Sequence, residues 1–246
     1  LNPSAGMKGP ARAMEGEGAG RERPAEEYRS RIEQPIFLVS SPRSGSTVLF
    51  DTLSQARRLY TPGGESHGVV EGIEALSVQG RGWSSNRPEA EDASPQTAEQ
   101  LARSFYLTLR DRDGRPAENR VRMLEKTPKN ALRVPFFDEI WPDAAFVFLY
   151  RDPRQTMSSM IEAWMSGRFR TYRMLPNWTG HPWSMLLLPG WRDLIGLPLP
   201  EIVARQWKAT MEILLDDLSR IPRERLRAID YDEFVASPQA VVEALA

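Results

Sequence analysis

The sequence predicts an α/β domain in which a parallel β-sheet is flanked by helices. Two apolar segments, at 36–40 and 145–150, are expected to form strands, and the second is an uninterrupted run that is typical of a strand buried on both faces. Each run is followed at once by turn residues and a helical pattern, and shorter strands are expected at 121–125 and 226–231. Because strands that alternate with helices form βαβ units, the expected sheet is parallel.

The predicted helices fill the intervals between these strands. We expect them at 46–56, 95–112, 130–141, 153–166 and 201–221, with a last helix that begins at Pro238. Two of the starts carry a local signal, because Ser94 precedes Pro95 and Asp152 precedes Pro153. A short polar side chain caps the first free N–H groups of a helix, and proline is favoured at its first position.

The segment 170–199 is rich in Pro, Trp and Leu and has no regular pattern. Such a long connection inside a compact domain is typical of a lid or a binding loop. Its large apolar side chains, such as Trp178, Met185 and Trp191, are expected either to line a pocket or to pack in the core.

Composition and charge bound the classes of partner. The net charge of −1 gives no reason to expect binding to nucleic acid or to an anionic membrane surface. The absence of cysteine excludes disulfides and zinc–thiolate sites, and it favours a cytoplasmic location. No apolar run approaches the ~20 residues that cross a bilayer, so no integral membrane segment is expected.

Residues 1–30, which carry few large apolar groups, are expected to form a flexible tail before a domain at 31–246.

The loop after the first predicted strand has the composition of an anion site. Residues 42–47 read PRSGST. The free N–H groups at the start of the following helix, together with the helix dipole, attract a negative group. Ser44, Ser46 and Thr47 add hydroxyl donors, Gly45 shapes the turn, and Arg43 adds a guanidinium fork. The alternative is an ordinary strand-to-helix turn.

This loop is not a Walker A motif. That motif requires G-x-x-x-x-G-K-[ST], whereas Ser46 stands in the place of the lysine and Ser40 in the place of the first glycine. A nucleoside triphosphatase would therefore lack the lysine that contacts the β- and γ-phosphates. We expect a phosphate-like ligand here rather than ATP with magnesium.

A second anion site is predicted after the strand at 145–150. Arg151 emerges at the carboxyl end of that strand, where open α/β sheets bind their ligands. Ser159 follows on the second turn of the next helix, so a guanidinium fork and a hydroxyl are available for a second phosphate. The alternative is a solvated arginine.

Together the two motifs resemble those of the sulfotransferases that use 3′-phosphoadenosine-5′-phosphosulfate (PAPS). PRSGST at 42–47 matches the P-[KR]-S-G-[ST]-T loop that holds the 5′-phosphosulfate in that family, and RDPRQTMSS at 151–159 matches the element that holds the 3′-phosphate. The arginine in the loop is closer to the tyrosylprotein and bacterial members than to the cytosolic steroid and phenol type. The resemblance covers about 36–246 and implies a P-loop NTPase-like sulfotransferase fold.

The resemblance also implies roles for individual residues. The donor would be bound by Arg43, Ser44, Gly45, Ser46, Thr47, Arg151, Ser159 and Tyr231. Tyr231 lies in AIDYDEF at 228–234, which is similar to the family's Tyr-Glu-Asp element beside the adenine. Lys126, within EKTPKN, would stabilise charge on the bridging oxygen together with Arg43, and no metal ion is expected. Only four lysines occur in the chain, and two of them lie in EKTPKN, which indicates a place where a compact charge is preferred. The alternative is chance placement in a solvated loop.

The proton acceptor is expected in GGESH at 63–67. Glu65 occupies the place where the resembled branch often carries a glutamate base. His67 is the rival because imidazole titrates near neutral pH. The alternative for each residue is a non-catalytic role as an ordinary loop side chain.

The predicted function is direct in-line transfer of a sulfonate group from PAPS to a hydroxyl acceptor. The acceptor remains open among a small molecule, a peptide, a sugar, a lipid and a carrier-bound group. There are two alternatives: a P-loop kinase that phosphorylates a small molecule with ATP, and a non-catalytic nucleotide-binding module.

The sequence departs from the family in two ways: Val48 replaces a tryptophan found in many cytosolic members, and the chain ends soon after Phe234. The domain is therefore expected to be incomplete at its C-terminal end.

Overall fold

The computed structural model describes residues 28–245. The strands of this part of the chain are β1 (Ile36–Val39), β2 (Leu59–Tyr60), β3 (Arg122–Lys126), β4 (Ala145–Tyr150), β5 (Arg170–Tyr172), β6 (Trp183–Ser184) and β7 (Leu226–Asp230). Five of them form a parallel sheet in the order β2-β3-β1-β4-β7, and β5 pairs with β6 antiparallel. The predicted parallel α/β sheet is confirmed.

The strand β1 lies at the centre of the sheet. Ile36 is in register with Leu124 of β3 on one side and with Ala145 of β4 on the other. Because all five strands run in the same direction, the loops that follow β1, β3, β4 and β7 meet at one edge. This edge carries both of the motifs that the sequence singled out.

The helices cover both faces of the sheet. They are α1 (Ser46–Leu53), α2 (His67–Glu71), α3 (Pro95–Thr108), α4 (Val134–Ile140), α5 (Pro153–Ser166), α6 (Leu199–Ser219), α7 (Tyr231–Ala236) and α8 (Pro238–Leu245). Side chains alternate along β1, so that Phe37 packs with residues of α3 and α4 on one face, while Leu38 packs with residues of α1 and α7 on the other. The positions next to the motifs are thereby fixed by a buried core.

Helix bounds agree with the predictions where capping residues mark both ends of a helix, and they differ elsewhere. The helix expected at 153–166 has these bounds, since Asp152 caps its first turn and Gly167 ends it in the left-handed region, at φ 63°. The helix expected at 130–141 is instead a 3₁₀ turn, Pro128–Leu132, followed by α4. Pro135 accounts for this division, because proline is tolerated only in the first turn of a new helix.

The tryptophans of the segment 170–199 pack together, with Trp183 and Trp191 buried and Trp178 half-buried against them. Trp178 and Trp191 contact the ring of Trp183 with centroid distances of 4.8 and 5.9 Å, and Trp164 of α5 lies 5.5 Å from the same ring. The indole Nε1 of Trp191 donates to the carbonyl oxygen of Trp83. Core packing, one of the two alternatives, therefore holds for Trp191, and Trp178 packs half-buried against the same core without lining the main cavity.

The described chain begins against α3. The backbone N–H of Tyr28 donates to the carboxylate of Glu99 at 2.6 Å, and its ring lies 5.5 Å from that of Tyr106. Residues 1–27, which make up most of the predicted tail, lie outside the described residues. Among residues 28–245, no helix combines the length and the apolar character that crossing a membrane requires.

Candidate functional site

A cavity of about 580 Å³ opens at the carboxyl edge of the sheet. Its walls come from the loop before α1, from the 65–71 segment, from the loop after β3, from Arg151 and α5, and from the β5–β6 segment. The predicted site residues that line it are Arg43, Gly45, Ser46, Thr47, Glu65, His67, Arg151 and Ser159. The fold thus brings most of the predicted site into one cavity.

The loop between β1 and α1 turns sharply. Arg43 and Gly45 both have positive φ, at 67° and 90°. Ser44 is buried, and its hydroxyl lies 2.7 Å from that of Ser41, which stiffens the turn. Helix α1 begins at Ser46, so its first N–H groups have no acceptor within the helix. Successive free N–H groups in such a turn form a concave site for an anion.

The side chain of Arg43 crosses from this loop to α5. Its Nε donates to the hydroxyl of Ser159 at 3.1 Å, and its guanidinium carbon lies 4.9 Å from the centre of the Phe169 ring. The two sequence motifs are therefore in direct contact, although they are more than a hundred residues apart.

The guanidinium of Arg151 is held by two neighbours. It donates from Nε and from a terminal nitrogen to Oε1 of Gln155, at 3.1 and 2.8 Å. It also stacks on Tyr231, with 4.5 Å from its central carbon to the ring centre. Tyr231 begins α7, directly after Asp230 of β7, so the last strand of the sheet places this ring at the site.

Lys126 ends β3 and points at Glu65. Its Nζ donates to Oε1 of Glu65 at 2.8 Å and to the hydroxyl of Thr47 at 3.3 Å. The lysine side chain is only 5% exposed, which strengthens its interaction with both partners. This contact joins the anion-binding loop to the 65–67 segment.

Glu65 bridges Lys126 and His67. Its Oε2 lies 2.9 Å from Nε2 of His67, and because a carboxylate only accepts, Nε2 carries the proton. The hydrogen bond from His67 and, against the effect of burial, the Lys126 ammonium lower the pKa of Glu65 to about 2. The other ring nitrogen of His67, Nδ1, is buried and has no partner among the described residues. A carboxylate that orients an imidazole in this way resembles a general-base pair.

A second charged cluster borders the same cavity, and the sequence did not predict it as a unit. Oε1 of Glu71 accepts from Nζ of Lys129 at 2.5 Å and from Arg133 at 3.2 Å, and the hydroxyl of Tyr172 donates to Oε2 at 3.3 Å. Burial lowers the pKa of Lys129 to about 8, although the carboxylate of Glu71 opposes this change. The available signal was Lys129 itself, one of only four lysines in the chain.

Three predicted site residues lie behind the cavity wall rather than on it. Ser44 is buried within the loop between β1 and α1, Lys126 contacts Glu65, and Tyr231 lies against Arg151. The prediction missed several residues of the β5–β6 side that line the cavity, namely Arg168, Phe169, Arg170, Thr171 and Leu186. Met185, one of the side chains expected in a pocket, does line it. No group of three His, Cys, Asp or Glu side chains within the part described here is arranged to hold a metal ion.

Solved structures show the same fold. The sulfotransferase STF1 from Mycobacterium tuberculosis H37Rv aligns with 89% of this chain and 68% of its own, at a TM-score of 0.52 and 13% identity. A sulfotransferase from Alicyclobacillus acidocaldarius aligns with 87% of this chain and 80% of its own, at a TM-score of 0.50 and 18% identity. The architecture is therefore the P-loop-like fold of sulfotransferases.

Sequence comparison identifies the family. A relative from Caenorhabditis briggsae, named "Putative protein-tyrosine sulfotransferase", is 26% identical over 133 residues, which are 54% of this chain and 45% of that protein. The chain thus spans less than half the length of that relative. The profile of the family described as "Sulfotransferase family" matches residues 35–246. The chain belongs to the sulfotransferase family.

Proposed function

We propose that this chain transfers a sulfonate group from PAPS to a hydroxyl acceptor. One observation carries the proposal: a single cavity is lined by the free N–H end of α1, by Arg43 and Arg151, and by the Glu65–His67 pair. Two cationic forks and a helix N-terminus suit a donor with two separate anionic ends. A carboxylate–imidazole pair beside them suits the removal of a proton from a hydroxyl.

Each end of this donor is assigned to residues in or beside the cavity. The N–H groups of 44–47 and the side chain of Arg43 would hold the 5′-phosphosulfate. Arg151 and Ser159 would hold the 3′-phosphate, and the Tyr231 ring, which already stacks on Arg151, would pack near the adenine. Binding would require Ser159 to exchange its present contact with Arg43 for one with the ligand.

The chain's own side chains would carry the chemistry of transfer. Glu65 or His67 accepts the proton of the hydroxyl while the acceptor oxygen forms its bond to sulfur. Lys126, with Arg43, stabilises the electron pair that stays on the phosphate oxygen when the bond between that oxygen and sulfur breaks. Because Lys126 contacts both Thr47 and Glu65, it already lies between the anion-binding loop and the proton-accepting pair.

The acceptor would enter from the side of the β5–β6 segment. Met185 and Leu186 give this side apolar surface, and Glu71 with Lys129 gives it a polar wall. The acceptor hydroxyl belongs to a small molecule, a peptide, a sugar, a lipid or a carrier-bound group. The relative's name makes a tyrosine-containing peptide the first acceptor to test.

A chain without cysteine suits a reducing compartment, so we place the reaction in the cytoplasm.

Calorimetric titration with 3′-phosphoadenosine-5′-phosphate, the product of the donor, tests the proposal. We expect this bisphosphate to bind without metal and to raise the melting temperature, since a ligand at 100 times its Kd stabilises the folded state by about 2.7 kcal/mol. ATP with magnesium should bind far more weakly. A preference for ATP with magnesium would instead indicate a small-molecule kinase, and bisphosphate binding with no transfer to any hydroxyl would indicate a non-catalytic module.

A further inference from the structure

Glu125 is a completely buried carboxyl group beside the site. It directly precedes Lys126 on β3, its exposed fraction is 0%, and it does not line the cavity. Burial raises its pKa, against the hydrogen bonds that it accepts. An acidic side chain is almost never buried this completely unless it is paired, so its contacts need an explanation.

The contacts of Glu125 all lead to the segment that carries Glu65 and His67, or to the turn after β3. Its Oε1 accepts from the hydroxyls of Ser66 and Thr127, both at 2.6 Å. Its Oε2 accepts from the side-chain amide of Asn130. The hydroxyl of Thr127 in turn accepts from the backbone N–H of Ser66 at 2.8 Å. Ser66 is therefore held by its side chain to Glu125 of β3 and by its backbone to Thr127, the residue that follows β3.

Ser66 stands between the two members of the proton-accepting pair. Holding its backbone and hydroxyl fixes where the chain carries Glu65 and His67, and Lys126 extends from the residue next to Glu125. The distances of 2.8 Å between Lys126 and Glu65 and 2.9 Å between Glu65 and His67 thus depend on one buried carboxyl. A hydroxyl group in the place of Glu125 would hold Ser66 less firmly, because hydrogen bonds to a carboxylate are shorter and stronger than those to a neutral oxygen.

We propose that Glu125 is a positioning residue for sulfonate transfer, which holds the Glu65–His67 pair in line with Lys126 through Ser66. The inference rests on the proposed function, because it assigns that pair the role of proton acceptor. Glu125 itself would touch neither the donor nor the acceptor, since its side chain is completely buried and does not line the cavity.

Two variants distinguish a positioning role of Glu125 from a role of its carboxylate in proton transfer. One is Glu125→Gln, and the other combines it with Asn130→Asp, so that the carboxylate and the amide change places. In Glu125→Gln, the new amide nitrogen can face the hydroxyls of Ser66 and Thr127, which then lose the oxygen to which they donate. If it faces the amide of Asn130 instead, two donors meet unless Asn130 turns its oxygen toward it. That turn would cost Asn130 its bond from Arg133, which now donates to Oδ1 at 3.1 Å. In the double variant with Asn130→Asp, the carboxylate accepts from both the new amide and Arg133, so every hydrogen bond has a partner again.

Turnover and bisphosphate affinity are measured for wild type, Glu125→Gln and the double variant, with a tyrosine-containing peptide as acceptor. A displacement of about 1 Å in a catalytic group can cost 10²-fold in rate, so we expect kcat to fall roughly 10- to 100-fold in Glu125→Gln. The affinity for the bisphosphate should stay within about twofold, and the double variant should recover most of the lost kcat. If Glu125 acts as a proton-transfer group, the double variant stays as slow as the single one, and the proposal fails.

A measurement that does not depend on catalysis tests the positioning role of Glu125 independently of the proposed sulfonate transfer. The chain has two histidines, so the ring signals of His67 in a proton NMR spectrum can be assigned by comparison with His181→Gln. We expect these signals to shift in Glu125→Gln and to return in the double variant. This result stands even if no transfer is detected. Unchanged His67 signals in a folded Glu125→Gln protein would overturn the inference, whatever the activity.

Asp217→Asn serves as the matched control for stability. Asp217 is a second buried carboxylate, bound by two nitrogens of Arg87 at 2.6 and 2.9 Å, and it does not line the cavity. Loss of this pair should lower the melting temperature while the His67 signals and kcat of the folded protein stay close to wild type. An equal loss of kcat in Asp217→Asn would show that general destabilisation, rather than positioning, explains the effect of Glu125→Gln.

Discussion

The ring of Tyr231 packs against Gly45 with no space for a side chain. A Cβ built on Gly45 would lie 2.1 Å from Cε2 of Tyr231, and the glycine has a φ of +90°. The anion-binding loop after β1 and the first residue after β7 are thus in direct contact at the edge of the sheet. Glycine is required here for two reasons, its left-handed backbone and the closeness of the aromatic ring.

Gly45→Ala should therefore destabilise the protein and weaken the binding of the bisphosphate. The left-handed backbone costs a residue with a Cβ about 1–2 kcal/mol, and displacement of the Tyr231 ring adds about 1–3 kcal/mol of overpacking. Gly63→Ala is the matched control, because Gly63 also has positive φ, at +78°, but has open space around its Cβ position. We expect thermal unfolding to show a clearly larger loss for Gly45→Ala, and equal losses would contradict the contact with Tyr231.

The parts of the site that the sequence predicted are those encoded within a few residues. Arg43 and Arg151 were identified because each follows a buried apolar run and precedes a helix start, and parallel strands bring such loops to one edge. The bounds of α5 were predictable for the same reason, since its cap and first proline stand at its start and Gly167 directly follows its last residue.

The parts that the sequence did not predict depend on contacts between distant residues. Lys129 and Tyr172 reach Glu71 across 58 and 101 residues, and no local pattern marks such a pairing. The partner of Ser159 is a similar case: its hydroxyl contacts Arg43, 116 residues away, rather than Arg151 eight positions earlier. Apolar composition likewise could not decide whether Trp178 and Trp191 would face a pocket or the core, because both environments favour the same side chains.

Arg151→Ala should weaken the binding of the bisphosphate far more than that of adenosine-5′-phosphosulfate, which lacks the 3′-phosphate. A lost charge-assisted contact is worth about 1.5–3 kcal/mol, or roughly tenfold to a hundredfold in Kd. Isothermal titration with both ligands measures the difference. Arg154→Ala is the control, because that exposed arginine lies three residues later, in the first turn of α5, pairs with Asp152 and does not line the cavity. Equal weakening of both ligands by Arg151→Ala would remove Arg151 from the proposed role.

Glu65→Gln should abolish most turnover while the affinity for the bisphosphate stays within about twofold. The amide keeps the volume of the side chain but cannot accept a proton, and a general base contributes about 10²–10⁴ in rate. His67→Gln should be milder if Glu65 takes the proton and His67 only supports it. Single-turnover assays with a phenolic acceptor give the ranking. A larger loss in His67→Gln would make the imidazole the base, oriented by Glu65, and normal turnover in both variants would place the base elsewhere.

The stability difference between wild type and Glu65→Gln should depend on pH below about 5. The pKa of Glu65 is lowered from 4.5 to about 2 in the folded protein, so between these values the unfolded chain binds the extra proton. Its contribution to stability is therefore fully present above pH 4.5 and is lost as the pH falls toward 2. Melting temperatures of both proteins between pH 7 and pH 2.5 measure this, and the gap between them should be constant at the upper end and shrink below pH 4.5. In a Lys126→Met background one of the two partners that lower this pKa is gone, so the same gap should shrink less over the acid range. A gap that stays constant down to pH 2.5 would mean that Glu65 is not held as an ion pair with Lys126 and His67 in solution.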